Sequence, residues 1–363
     1  MDRKILYITN GINGSGGLER VLSVKASLLV EDFGYEVSVM VLNEAHQNPF
    51  YEFSPKIKFY SIDVGGNPFR YWKSYKNGIR KTVNEINPDI ISVCDDGLKA
   101  FFISQFLKTK AKIIYERHVS KLVEARTGQS FFKKITTQTK WFLMEKLAKK
   151  FSKFIVLTDG NKNEWRSLKN IEVIPNPLSF YPDKSSDLES KTVICVGKIS
   201  YQKGQDLLVK AWQKVCEKYP DWRLELYGKA NEDYLNTENL KQKNIFFFPP
   251  EKNIEQKYLE SSVYVMSSRF EGFGMVLIEA MACGVPCVSF DCDYGPGDII
   301  ADNEDGFLAE KENTDDLAEK LMLLIENEAM RKNFGKNAKE NVKRFLPENI
   351  LLKWDDLFKS LVK

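Results

Sequence analysis

Glu271 and Glu279 stand with seven residues between them, around the turn Gly272-Phe273-Gly274. Ahead of them, Val263–Met266 is an apolar run of strand character. Behind the turn, Met275-Val276-Leu277-Ile278-Glu279-Ala280-Met281-Ala282 has helix character. A strand, a glycine turn and a helix start present unpaired backbone N–H groups to whatever lies above them, and glycine lets a ligand approach the chain closely. A phosphate suits such a place. A carboxylate beside phosphate is costly unless it meets a cation or hydroxyl donors. Glu271 and Glu279 therefore point to a nucleotide sugar, with Glu279 reaching sugar hydroxyls.

A second loop supplies cations. Val196-Gly197-Lys198-Ile199-Ser200-Tyr201-Gln202-Lys203-Gly204 follows an apolar strand and precedes a helical stretch. Lys198 and Lys203 on this glycine-bounded loop are placed to clamp a diphosphate. A third loop, Asn10 to Arg20, carries Gly16 and Gly17 at a helix start, where a phosphate or a sugar ring could enter. It has neither the Gly-Lys-Ser/Thr ending of a Walker loop nor the G-x-G-x-x-G pattern. Tyr115-Glu116-Arg117-His118 ends another apolar run, so His118 is expected to project from a strand end. The other histidine, His46, has no such setting.

These segments need a scaffold. Apolar runs Ile5–Thr9, Val37–Leu42, Ile57–Ser61, Ile90–Cys94, Ile113–Glu116 and Phe154–Leu157 read as strands. They alternate with helical stretches near 18–31, 70–86, 97–107 and 132–150. The proline-rich Ile174–Leu178 and the polar 182–190 interrupt the rhythm, so 175–190 is expected to be a hinge. The alternation then restarts: strands at 192–196, 223–227, 245–247, 263–266 and 286–290, helices near 204–218, 254–260, 275–282, 315–327 and 329–343. This rhythm predicts an α/β chain of two Rossmann-like domains facing a central cleft, with ligands at the carboxyl ends of the strands. The domains are expected at 1–178 and 190–346, with the amphipathic segment 347–363 packing back onto the first.

Composition sets the outer limits. The chain has 363 residues, 43% hydrophobic and 28% charged, the balance of a globular enzyme of two domains. No apolar run is long enough to span a bilayer, and the first residues are expected to form a buried strand, not a signal peptide. Six scattered cysteines lack both disulfide-scaffold density and zinc spacing. The net charge of +3 conceals an asymmetry. Residues 1–185 carry 29 basic and 19 acidic side chains, a balance of +10, against 24 and 31 in the rest, a balance of −7. Residues 106–150 hold 12 basic and 3 acidic side chains. With the aromatic-basic run Phe69–Lys76 and apolar positions 132, 135, 142, 143 and 147, this half suggests contact with an anionic membrane surface. A core-facing helix with a basic outer face is the alternative. No recognition motif supports nucleic acid.

The string Phe270 to Pro286, Phe-Glu-Gly-Phe-Gly-x-x-x-x-Glu-Ala-Met-Ala-x-Gly-x-Pro, resembles the signature of the retaining GT-B glycosyltransferases of family 4. Gly16-Gly17-Leu18-Glu19-Arg20 is similar to the first loop of the same family. The resemblance implies transfer of a hexose or N-acetylhexosamine, with retention, from a UDP-linked donor to a lipid-linked glycan acceptor in polysaccharide assembly. The first domain would hold the acceptor and the second the nucleotide. It also implies a protein of the cytoplasm, or peripheral at the inner face of the membrane. Glu271, His118 and Lys203 would be catalytic. Gly16, Gly17, Lys198, Lys203, Gly272, Phe273, Gly274, Met275, Val276 and Glu279 would bind the donor, with closure across the hinge excluding water. No cofactor and no metal are expected, although Asp291-Cys292-Asp293 has metal-ligand spacing. The chain departs from the family at Lys198, where arginine is common, and at Asp298, where glutamate is usual. A sugar-nucleotide epimerase on the same fold and a non-catalytic nucleotide-sugar binder are the alternatives.

Overall fold

The computed structural model describes residues 3–45, 48–121, 131–229, 234 and 243–362, without the side chains of residues 131, 132 and 134. His46 lies outside the described residues. The chain forms two compact units, residues 1–177 with 347–363, and residues 178–346. Residues 178–189, expected in the hinge, thus belong to the second unit.

The first unit holds β1 (Lys4–Thr9), α1 (Gly17–Glu31), β2 (Glu36–Leu42), β3 (Lys58–Ile62), α2 (Pro68–Ile86), β4 (Ile90–Cys94), α3 (Leu98–Phe101), α4 (Ile103–Phe106), β5 (Lys112–Glu116), α5 (Phe131–Ala148), β6 (Lys153–Val156), α6 (Asp159–Glu164) and β7 (Ile171–Val173). Its sheet runs β3-β2-β1-β4-β5-β6-β7, every pairing parallel. The central strands are apolar along their length because helices cover both faces. Phe101, Tyr115, Phe154 and Trp165 pack together in the core, with Tyr115 and Phe154 stacked at 5.1 Å between ring centroids.

The second unit holds β8 (Thr192–Val196), α7 (Gln205–Lys218), β9 (Arg223–Tyr227), β10 (Ile245–Phe248), α8 (Ile254–Leu259), β11 (Val263–Met266), α9 (Met275–Ala282), β12 (Cys287–Phe290), α10 (Pro296–Ile299), β13 (Gly306–Ala309), α11 (Thr314–Glu326) and α12 (Glu328–Asn341). Its parallel sheet runs β10-β9-β8-β11-β12-β13. Strand order reverses beside β8 and β11. Ligands of open parallel sheets bind outside the carboxyl ends of the strands at such a switch point.

The last helix, α13 (Pro347–Leu361), belongs to the first unit. It packs on α1, and Tyr35 donates to Asp355 at 2.7 Å. Trp354 and Phe358 supply its buried face.

Several expectations needed correction. The stretch 97–107 is two short helices, because the Phe102 and Gln105 N–H groups bond three residues back, to Lys99 and Phe102, instead of four. Strands β7 and β13 and helix α6 had not been anticipated. The basic segment α5 divides its apolar residues. Met144, Leu147 and Ala148 enter the core, while Ile135 is 45% and Phe142 72% exposed. In the aromatic run, Phe69 is 79% exposed but Tyr75 is fully buried and stacks on Trp72. Core packing thus claims part of both segments. Among the described residues no helix is long and apolar enough to cross a membrane.

Candidate functional site

In the second unit, the loops after β8 and β11 meet at the switch point. Gly204 makes their approach possible. Its φ is +63°, and a Cβ there would lie 2.1 Å from the Ser267 carbonyl oxygen. Lys203 is thereby turned toward the end of β11, where its Nζ donates to Glu271 Oε1 at 2.7 Å. Ser268 Oγ donates to the same oxygen at 2.5 Å. Glu271 is buried, and its N–H is held by the Asp293 carbonyl at 3.2 Å. Lys198, on the same loop as Lys203, is exposed, and its ammonium has no ion pair among the described residues.

Gly272, Phe273, Gly274 and Met275 are buried, and Val276 is half-buried at the start of α9. Gly274, at φ +108°, is the N-cap and offers no side-chain acceptor to the helix. The first N–H groups of α9 have no intrahelical acceptor, so they present partial positive charge. Gly295 closes over this turn, for a Cβ on it would stand 2.0 Å from the Phe273 carbonyl oxygen. One turn into α9, Glu279 is buried. Its carboxylate accepts from Ser179 Oγ at 3.1 Å and from the Tyr258 hydroxyl at 3.4 Å.

Arg269 had no role in the sequence reading, yet it makes the most contacts here. Its Nη1 and Nη2 donate to Asp206 Oδ1 and Oδ2 at 2.9 and 2.8 Å, and Nη1 also to the Tyr201 carbonyl at 2.8 Å. Burial works to raise the Asp206 pKa, but bonds from Arg269 and Tyr234 outweigh it and hold the carboxyl below its usual range. A 63-residue separation hid this pair from motif reading.

In the first unit, Gly14 and Gly16 leave room for the chain's own carboxylate. Cβ atoms on them would lie 2.5 Å from Glu19 Oε1 and Oε2 respectively. Burial, chiefly, pushes the Glu19 carboxyl above its usual range. A Cβ on Gly17 would meet nothing within 4 Å. Of the two glycines singled out, Gly16 therefore serves Glu19, and Gly17 leaves open space.

Glu116 ends β5 and His118 follows two residues later, beside a buried cation. Lys25 and Glu116 form an ion pair with both side chains 1% exposed, and Ser92 Oγ donates to Glu116 Oε1 at 2.5 Å. The Lys25 ammonium also lies 4.1 Å from the Trp354 ring centroid. His118 Nε2 is 3.3 Å from Glu116 Oε2, its side chain 5% exposed. His118 thus turns against Glu116 instead of standing out from the strand end. Burial alone would raise the Glu116 pKa. Lys25, then His118, reverse this and hold it at about 2.

Ligand atoms of Cys94, Glu116 and His118 lie within 4.8 Å of one another, close enough to surround a metal ion. Two features oppose an ion. Lys25 already supplies a positive charge at Glu116 Oε2, and burial pushes the Cys94 thiol pKa well up. Among the described residues, Asp291 and Asp293 form no such group. The Asp293 carboxylate pairs with Lys311.

The profile described as "Glycosyl transferases group 1" matches residues 181–341. An uncharacterized glycosyltransferase of Haemophilus influenzae is 30% identical, over 90% of this chain and 91% of its own length. The amylovoran biosynthesis glycosyltransferase AmsD of Erwinia amylovora is 32% identical, over 98% and 99%. Among solved structures, TarM of S. aureus, in complex with fondaparinux, α-GlcNAc-glycerol and UDP, superposes with a TM-score of 0.76 at 18% identity. That match covers 98% of this chain and 99% of TarM, and the shared fold is GT-B.

Proposed function

The chain belongs to the group 1 glycosyltransferases, and from that premise we propose a specific reaction. It transfers a hexose or N-acetylhexosamine from a UDP-sugar to a lipid-linked glycan acceptor in polysaccharide assembly, with retention at the anomeric carbon. The amylovoran relative and the UDP bound to TarM support the pathway and the donor. The observation that carries the reading is Lys203 on Glu271 at the switch point, beside the uncapped start of α9.

The charges fit the chemistry. Breaking the anomeric C–O bond leaves positive charge on the sugar and negative charge on the UDP diphosphate. Lys203, Lys198 and the N–H groups at Gly274–Val276 stabilise the diphosphate, electrostatics already in place before the reaction. Glu271 binds sugar hydroxyls and faces the developing oxocarbenium character. The acceptor oxygen attacks from the face the diphosphate is leaving, and its proton passes to the departing phosphate oxygen. Glu279, tied to Ser179 and Tyr258, takes the ribose hydroxyls. In the first unit, Gly17 gives a sugar ring room, while the Glu19 carboxylate disfavours a phosphate. His118, whose ring lies against Glu116 in this structure, would have to turn outward to donate to the donor sugar, and that turn is part of the proposal. Two lysines and a helix start supply the cationic charge at the diphosphate, so the reaction is proposed to need neither metal nor cofactor. The exposed Phe69, Ile135 and Phe142 among lysines are proposed to meet an anionic membrane carrying the acceptor.

Saturation-transfer NMR with UDP-, GDP- and ADP-sugars tests the donor. One UDP-sugar should give signals at base and sugar protons, lost in Glu279→Ala. Silence across the panel, with EDTA or added metal making no difference, would overturn the assignment.

A further inference from the structure

Lys203 sits at the end of a loop that must be held still if its ammonium is to meet one diphosphate oxygen. Contacts from a single stretch of chain after β11 hold that loop. The Arg269 N–H donates to the Gln202 carbonyl at 2.8 Å, and Ser267 Oγ to the Lys203 carbonyl at 2.9 Å. Gln202 Nε2 returns a bond to the Phe270 carbonyl at 3.3 Å. The Arg269 guanidinium lies 4.2 Å from the centre of the Tyr201 ring, bonds the Tyr201 carbonyl, and grips Asp206 at both carboxylate oxygens. Asp206 is the second residue of α7, after the N-cap Gly204 and the first helical residue Gln205. Arg269 therefore fastens the chain on both sides of Lys203, at Tyr201 and at Asp206. Its remaining contacts go to Tyr234 at 3.1 Å and Glu312 at 3.3 Å.

Lys198 is held differently. Its carbonyl accepts from Gln205 Nε2 at 3.2 Å, and no bond from Arg269 reaches residues 197–200. The clamp is thus selective within one loop. Lysine in place of arginine could not reproduce it, since a bidentate grip on Asp206 together with a carbonyl bond needs the planar guanidinium fork.

We propose that Arg269, through its paired grip on Tyr201 and Asp206, is a positioning residue that aims Lys203 at the donor diphosphate. It does so without touching the donor. The inference rests on the reading of Lys203 as a diphosphate ligand.

A double-mutant cycle on UDP affinity, read by calorimetry with the full chain, tests it. Arg269→Gln should weaken UDP binding on the order of tenfold. Combined with Lys203→Ala it should weaken binding no further than Lys203→Ala alone, within about twofold. The cycle of Arg269→Gln with Lys198→Ala should be additive. Arg269→Lys should behave as Arg269→Gln, because it keeps the charge and loses the fork. Asp206→Asn, which leaves the arginine in place, gives a second cycle with Lys203→Ala should Arg269→Gln fold poorly, and it too should be non-additive. Additive loss in the Lys203 cycles, or equal coupling to Lys198, would show general loosening and overturn the positioning role alone. Unchanged UDP affinity in Lys203→Ala, or no UDP binding by the unaltered chain, would overturn the diphosphate reading and the inference with it.

Discussion

The Lys203 ammonium lies 2.7 Å from Glu271 Oε1, so the cation assigned to the diphosphate is neutralised by the carboxylate assigned to the sugar. A diphosphate arriving at Lys203 must compete with that carboxylate. Glu271→Gln removes the competition. It should tighten UDP binding about threefold to tenfold, the scale of one partly exposed ion pair. The same change should lower turnover about 10²–10³-fold, because the charge facing the sugar is gone. Calorimetry with UDP and a turnover assay check the two arms. Weaker UDP binding in Glu271→Gln would show that the pair helps, not hinders, the nucleotide.

Gly204 and Gly17 should answer differently to alanine. At Gly204 the positive φ and the Ser267 carbonyl leave no room, so Gly204→Ala should cost about 1–3 kcal/mol of stability and weaken UDP binding by displacing Lys203. At Gly17 a methyl group meets only open space, and stability should stay within about 0.5 kcal/mol. Transfer should nevertheless fall if a sugar ring comes close there. Thermal melts and a rate measurement on each variant separate the two roles.

Removing Lys25 strands a buried carboxylate. Lys25→Met should destabilise the protein by about 3–5 kcal/mol, the cost of breaking a buried pair. Adding Glu116→Gln should recover part of it, since the uncompensated charge is then removed. Chemical denaturation of the single and double variants gives the comparison.

The same carboxylate sets an acid limit. The folded pKa of Glu116, about 2, lies below its ordinary value of 4.5, so the unfolded chain binds the proton more tightly. Stability from this group is complete above about pH 4.5 and is lost as pH falls toward about 2. Glu116→Gln should flatten the stability profile across that window, as followed by circular dichroism.

Much of the fold was legible because buried parallel strands are largely apolar runs with glycine or proline close by, as at Ile90–Cys94 between Pro88 and Gly97. The missed strand β7 has three residues, Ile171-Glu172-Val173, too few for a period and interrupted by a charge. The loops bearing Lys203 and Glu271 could be read because each is compact in sequence. The groups that hold them could not. Arg269 meets Asp206 across 63 residues, and Lys25 meets Glu116 across 91. Lys25 looks like the solvent-facing lysine of an amphipathic helix, and only the β5 carboxylate and the Trp354 ring reveal a buried one.

The return of α13 to the first unit has a consequence for biosynthesis. The ribosome releases the first unit's sheet early, but Trp354 over Lys25 and Asp355 on Tyr35 emerge only after the whole second unit has been made. The half translated first is therefore the last to be completed, whereas residues 178–346 form one uninterrupted stretch that can close as soon as it is synthesised. A stop codon just before Pro347 would spare every residue of the second unit and leave the first without its closing helix.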